Sequence, residues 1–426
     1  MAVMNVATRQ MSRRRFLAVG GAGAVALTGF LLDGCSTPDG IVSNTTFSED
    51  VGQLGYSASA EPQQDQPEED LLGQRIEALL QGMSLEHKVA QMFITRPEDV
   101  VDVGVVIQAG DQTKAALSAR PLGGIIYFGQ NLTDSEQTSQ MLANTMQFAL
   151  DANGIPPFLC VDEEGGSVSR IGGTSGFGAA NVGDMADIGA QDDPALAKQT
   201  ATTIAGYLKP LGFNVDFAPV CDVANNPDSN TMRERSFGAD PQLVARMAAA
   251  QVEGFLQAGM LCSAKHFPGI GAAVGDSHDE GITTGASLEA LRATELVPFA
   301  AAIKAGVPFV MVGHISVPAV VGGNTPASLA PAVVQGLLRE ELGYQGLIIT
   351  DSLGMGAVSS NYGVAEASLL ALKAGCDIML MPPDLDVAYN GVVAAVNSGE
   401  VAVERIDDSV RRVLRTKLEA FGELFG

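Results

Sequence analysis

The chain has 426 residues, 46% apolar and 17% charged, so it can bury a large core. It is long for one ordinary domain, although a single α/β barrel with decorations accommodates that length. A formal charge of −24 with a pI near 4.4 leaves no basic patch to neutralise phosphates, which argues against a nucleic-acid partner.

The N-terminus reads as an address. Ser12-Arg13-Arg14-Arg15-Phe16-Leu17 precedes a Gly/Ala-rich apolar run, Ala18–Leu32, too short and weakly apolar for a good spanning helix. The arginines followed by Phe-Leu have the form of a twin-arginine export signal, which implies export in the folded state. Leu32-Asp33-Gly34-Cys35 has the form of a bacterial lipobox, making Cys35 the expected lipid anchor to the membrane surface. An uncleaved signal anchor is the competing reading. Ser36 to about Asp70 is rich in Ser, Thr, Pro, Gln, Glu and Asp and reads as a disordered tether. The expected division is therefore a signal peptide over residues 1–34, a tether over 35–70 and a folded domain over 71–426.

The remaining four cysteines, Cys160, Cys221, Cys262 and Cys376, stand far apart in apolar runs. Buried free thiols are expected, with one disulfide left open. No C-x-x-C spacing and no nucleotide-binding loop occur, so neither a metal nor a cofactor is expected.

From Leu71 onward, helical stretches alternate with short apolar runs. The predicted strands are Gln91–Thr95, Gly124–Phe128, Pro157–Val161, Val215–Val220, Leu261–Lys265, Phe309–His314, Leu347–Thr350 and Asp377–Met381. Continuous rather than alternating apolar character indicates strands covered on both faces, hence a parallel sheet. Thr133 and Glu136 read as a capping box, and Asp193-Pro194 and Asp240-Pro241 as an N-cap followed by Pro at N1. Gly212, Gly259, Gly306 and Gly375 each stand just before a strand, where glycine ends a helix in a left-handed cap. Eight such units predict a (β/α)₈ TIM-type barrel; a doubly wound open sheet is the alternative.

In a barrel, chemistry collects at the C-terminal ends of strands. Those ends carry Asp162, Asp222, Lys265-His266, His314 and Asp351. The stretch Ala264–Gly281, AKHFPGIGAAVGDSHDEG, holds two of the four histidines, and its loop ends on Asp276-Ser277-His278. An Asp two residues before a His can orient the imidazole for general acid/base work. His87, on an early helix, reads as a surface residue.

Together these segments resemble glycoside hydrolase family 3, in its bacterial β-N-acetylglucosaminidase branch. The motifs are MSLEHKVAQMF (83–93), GGIIYFGQN (123–131), VDEEGGSVSR (161–170), RSFGADP (235–241), KHFPGIG…DSH (265–278) and ITDSLGM (349–355). AGCDIML (374–380) and ERIDDSVRRVLRTK (404–417) complete the set, in family order. The resemblance implies a retaining, two-step hydrolysis releasing terminal β-linked N-acetylglucosamine, with peptidoglycan fragments as the expected source. It makes Asp351 the nucleophile and His278 the acid and then base, oriented by Asp276. Most retaining glycosidases use two carboxylates about 5–5.5 Å apart. An imidazole titrating near pH 6.5 can serve as well, and when deprotonated it repels the nucleophile less than a second carboxylate would.

The resemblance also assigns Asp162, Arg170, Arg235, Lys265 and His266 to binding of the sugar hydroxyls and N-acetyl group. Structural ion pairs with Glu163, Glu164 or Glu234 are the competing reading for the two arginines. His314 matches no substrate role and reads as support. Departures from the family pattern are Ile270, where a second His is frequent, Ser167, where Arg is frequent, and no proline shortly after His278. Rival readings are a β-glucosidase-type enzyme of the same family, a catalytically silent lipoprotein that binds wall glycans, and a Schiff-base aldolase using Lys265.

Overall fold

The computed structural model describes residues 68–101, 103–226, 232–273 and 281–425. The signal segment with Cys35, most of the tether, and the segment carrying Asp276 and His278 lie outside the described residues. Eight parallel strands pair in sequence order: β1 Phe93–Thr95, β2 Gly124–Ile126, β3 Phe158–Val161, β4 Val215–Asp216, β5 Leu261–Phe267, β6 Phe309–Val312, β7 Leu347–Ser352 and β8 Ile378–Leu380. β1 also pairs with β8, with Phe93 opposite Met379 and Ile94 opposite Leu380, so the sheet closes into a barrel and the open-sheet alternative is excluded.

Each strand overlaps its expected segment, but the ends move for physical reasons. The run Val215–Val220 yields only the two-residue β4, because Pro219 has no N–H to give the ladder. Two strands are longer than expected, β5 and β7, and they carry Lys265-His266 and Asp351.

Two cores follow from the alternation of side chains along a strand. Ile94, Phe158, Cys160, Val215, Leu261, Phe309, Met311, Leu347 and Ile349 fill the barrel interior. The residues between them, such as Phe93, Leu159, Val161, Val310 and Ile348, pack outward against the helices. Parity then matters at the top. Asp162 follows Cys160 by two, and Asp351 follows Ile349 by two, so the first polar residue on each inward-facing row sits at the barrel mouth.

Helix starts and stops largely follow the expected chemistry. Asp193 and Asp240 cap helices Pro194–Leu208 and Pro241–Gln257 by accepting from Ala195 N and Gln242 N. Gly212, Gly259, Gly306 and Gly375 all adopt positive φ. The capping box moves by one residue. Asp134 caps the helix Ser135–Asn153 by accepting from Gln137 N, while Gln137 Oε1 accepts from Thr133 N, so Glu136 takes no part. The carboxylate of Asp134 competes better than the Thr133 hydroxyl for an unpaired helix N–H. Cys160, Cys221, Cys262 and Cys376 are buried free thiols. Among the described residues, no helix is long and apolar enough to cross a membrane.

The final helix, Val403–Phe421, closes the barrel from below, with Val413 and Phe421 joining the interior core. Between them sits Lys417, at 0% exposure, where Nζ donates to Gln91 Oε1 (2.7 Å) and Gly123 O (2.9 Å) over the Phe158 ring. Burial lowers its pKa from the ordinary 10.5 to about 7.

The unfolded chain binds this proton below about pH 10.4, the folded chain only below about 7. Between those values unfolding takes up a proton, so stability rises with pH across the window, at about 1.4 kcal/mol per pH unit. Lys417→Met removes that slope. Its stability relative to the wild type, read from denaturant melts, is expected to be more favourable at pH 6.5 than at pH 9; a pH-independent difference contradicts the buried, neutral lysine.

Candidate active site

The mouth of the barrel is an open cleft of about 720 Å³. Asp162, Arg170, Arg235, Lys265, His266 and Asp351 all line it, so the structure brings together every described residue the sequence singled out for catalysis or sugar binding. The Lys265–His266 peptide is cis, β5 breaks register with β6 between Ala264 and Phe267, and both side chains line the same cleft.

Lys265, 2% exposed, is held by two acids, with Nζ 2.7 Å from Asp162 Oδ1 and 2.7 Å from Glu164 Oε1. Burial works against its charge, but Asp162 and Glu164 outweigh it and the ammonium pKa rises. An amine so held is a poor nucleophile, which removes the structural basis for a Schiff-base aldolase. Arg235 forks onto the same Glu164, with Nε to Oε2 and Nη2 to Oε1 both at 2.7 Å. The ion pair expected as the alternative for Arg235 therefore exists, and Arg235 still reaches the cleft. Against the cost of burial, the two cations hold the Glu164 carboxyl well below the usual carboxylate range.

Arg170 is different. Its backbone N–H donates to Glu163 Oε2 (2.6 Å), its guanidinium lies over the Phe128 ring, and its buried Nε has no hydrogen-bond partner among the described residues. The expected Arg170–Glu163 alternative is thus a backbone contact and not an ion pair. Glu163 itself is a buried hub: Ser169 Oγ, Arg170 N, Ile171 N, Gly172 N and Tyr207 Oη all donate to it. One carboxylate taking so many donors fixes the turn that carries Arg170.

Asp351 stands at the end of β7, half-buried, with Ser352 N donating to Oδ1 at 2.7 Å. Burial alone would raise its pKa, but the His266 and His314 rings, the Ser352 N–H and the Lys265 ammonium outweigh it, and the net shift is downward. A lowered pKa keeps the carboxylate ionised at neutral pH. His314 is buried, with Nε2 donating to Ser352 O (2.8 Å) and Nδ1 paired with Ser328 Oγ (2.7 Å). It steadies the backbone beside Asp351, the supporting role expected for it. His87, expected at the surface, is half-buried in helix Leu85–Ala90 and does not line the cleft.

Sequence reasoning missed Arg96, Phe128, Gln130, Met355, Met381 and Pro383, which also line the cleft. Arg96 directly follows β1 and could have been found by the strand-end rule, but its role is divided with Asp99, which it grips through Nε and Nη2.

Glu164 joins Lys265 and Arg235, so Glu164→Gln is expected to cost about 3–5 kcal/mol, the scale for removing one partner of a buried pair. Its folded pKa is lowered, so its contribution is complete above the unfolded value near pH 4.3 and is lost as pH falls through the folded value. Denaturant melts of wild type and variant should therefore differ most at neutral pH and converge in acid; a loss below 1 kcal/mol at pH 7 contradicts this placement.

Residues 84–416 match the family described as glycosyl hydrolase family 3, N-terminal domain. The chain is 34% identical over 343 residues to β-hexosaminidase LpqI of Mycobacterium tuberculosis (strain ATCC 25618 / H37Rv), covering 79% of this chain and 83% of that one. Its fold is similar to that of a family 3 β-N-acetylglucosaminidase from Paenibacillus sp. str. FPU-7, with a TM-score of 0.73 and 37% identity. That likeness covers 79% of this chain and spans 63% of the Paenibacillus chain. A β-N-acetylhexosaminidase from Beutenbergia cavernae DSM 12333 gives a TM-score of 0.70 at 28% identity, covering 79% and 98% respectively. With a closed barrel whose mouth gathers the family's motif residues, the chain belongs to glycosyl hydrolase family 3 and is a glycoside hydrolase.

Proposed function

We propose that the protein is an exo-acting, retaining β-N-acetylhexosaminidase that releases terminal N-acetylglucosamine, with peptidoglycan fragments as its natural substrate. One observation carries the reading: Asp351, kept anionic, shares a single cleft with Asp162, Lys265, His266, Arg235 and Arg170. A carboxylate flanked by cationic donors suits a sugar presenting adjacent hydroxyls and an N-acetyl group. The choice of an N-acetylated sugar is supported by the relatives named β-hexosaminidase from Mycobacterium tuberculosis and Stenotrophomonas maltophilia.

In the first step, an Asp351 oxygen attacks the anomeric carbon, the glycosidic C–O bond breaks, and the leaving oxygen takes a proton from His278. In the second, His278 removes a proton from water, whose oxygen attacks the same carbon and frees Asp351. Two inversions give net retention. Asp276 orients the His278 ring. The rigid end of β7 aims the nucleophile, so the clamp needs only to seat the sugar ring. Export through the twin-arginine signal and anchoring at Cys35 belong to the same proposal, and they rest on residues 12–35 alone.

Initial rates on 4-nitrophenyl β-N-acetylglucosaminide and 4-nitrophenyl β-glucoside test this reading. The wild type is expected to prefer the N-acetylated substrate. Asp351→Asn should lose on the order of 10³-fold or more in kcat, and His278→Ala about 10²–10⁴-fold on substrates with poor leaving groups. A clear preference for the glucoside favours the β-glucosidase alternative, and wild-type turnover by Asp351→Asn removes the assigned nucleophile.

A further inference from the structure

Asp222 lies at 0% exposure beneath the cleft and lines no part of it. Its carboxylate nevertheless takes three donors from the segment that ends β5. Oδ2 accepts from His266 Nδ1 (2.7 Å) and from His266 N (3.2 Å), and Oδ1 accepts from Ile270 N (2.7 Å). The backbone around it is tied to the same segment. Asn226 Nδ2 donates to Ala272 O (3.0 Å), and a Cβ on Gly271 would meet Val223 O at 2.0 Å, so only glycine permits this approach. Ser236 Oγ donates to Asp222 O (2.6 Å), which brings in the neighbour of Arg235.

Both Asp222 oxygens already accept from backbone N–H groups, and the ring nitrogen that shares Oδ2 donates to it as well. Nδ1 is therefore the protonated nitrogen on the buried side, and Nε2 is the atom left toward the cleft, 3.5 Å from Arg235 Nη2. Two bonds from one oxygen to the backbone and ring of the same residue also restrict both side-chain torsions of His266.

We propose that Asp222 is a positioning residue of the sugar site, acting through His266 by fixing its ring orientation and its Nδ1–H form. The claim rests on the reading of His266 as a sugar-contacting group. Asp222 touches no substrate; it decides which nitrogen of His266 the sugar meets. Asp222→Asn keeps the shape but replaces one acceptor oxygen by an NH₂ group. Either Ile270 N or the His266 ring then faces a donor, and the ring can respond by moving its proton to Nε2.

A double-mutant cycle separates this role from simple stapling of two loops. kcat/KM is measured for wild type, Asp222→Asn, His266→Ala and the double variant. The substrate is whichever 4-nitrophenyl β-glycoside the wild type hydrolyses faster, so a wrong sugar assignment is read from the wild type alone. Asp222→Asn is expected to lose about 10–100-fold, the size outer partners of a site commonly carry, but less than about threefold in the His266→Ala background. An equal loss in both backgrounds, or wild-type kcat/KM for Asp222→Asn where His266→Ala is impaired, overturns the proposal. Nitrogen-15 spectra of the histidine rings, assigned through His266→Ala, give an independent readout. Nδ1 of His266 should carry the proton in the wild type; an unprotonated Nδ1 there also overturns it.

Discussion

The arrangement of the cleft depends on one buried cation. Lys265 carries its ammonium at the mouth of the barrel with almost no access to water, a placement costing several kcal/mol unless it is compensated. Asp162 from the end of β3 and Glu164 two residues later supply that compensation, and Glu164 draws in Arg235 from the far side of β4. Three separate stretches of chain are thus held by charges that are satisfied only when all are in place. Of these cations only Lys265 bears on Asp351, and weakly: against burial, the His266 and His314 rings chiefly lower the pKa of that carboxyl, with the Ser352 N–H and Lys265 adding to them.

Behind the donors at the cleft stand three buried acids. Glu163 fixes the turn bearing Arg170, Glu164 pairs Lys265 with Arg235, and Asp222 holds His266. On the proposed function, donors preorganised in this way need no rearrangement when substrate arrives, and their interaction energy goes into orienting the sugar ring. The opposite end of the barrel is built on other terms. There Lys417, Phe158 and Phe421 close the interior, and what they govern is stability.

Much of the fold was legible because barrel strands and helix ends obey local rules. Apolar runs located all eight strands, and the glycines before Phe213, Met260, Val307 and Cys376 marked the helix stops. Boundaries failed where one local group overruled the pattern, as Pro219 did in β4 and Asp134 did at its helix start. The clamp was legible through strand ends and motif resemblance, since Asp162, Lys265, His266 and Asp351 all occupy them. The supporting acids were legible only in part: an ion pair of Arg235 with a neighbouring glutamate was expected and Glu164 supplies it, but the backbone role of Glu163 was not expected. A carboxylate such as Glu163 is defined by backbone N–H groups seven to nine residues away, and no periodicity records where a loop will fold back. Asp222 stood in plain view at a strand end, but only coordinates reveal that it faces His266 and not the cleft.

The central claim is that the carboxylate ending β7 attacks the anomeric carbon. Mechanism-based labelling tests it most directly: incubation with a 5-fluoro-N-acetylglucosaminyl fluoride, then proteolysis and mass spectrometry of the modified peptide. The account predicts a covalent sugar adduct on the peptide containing Asp351. An adduct on the peptide bearing Asp162 and Glu164, or turnover of the reagent to an inverted product without any adduct, would contradict it.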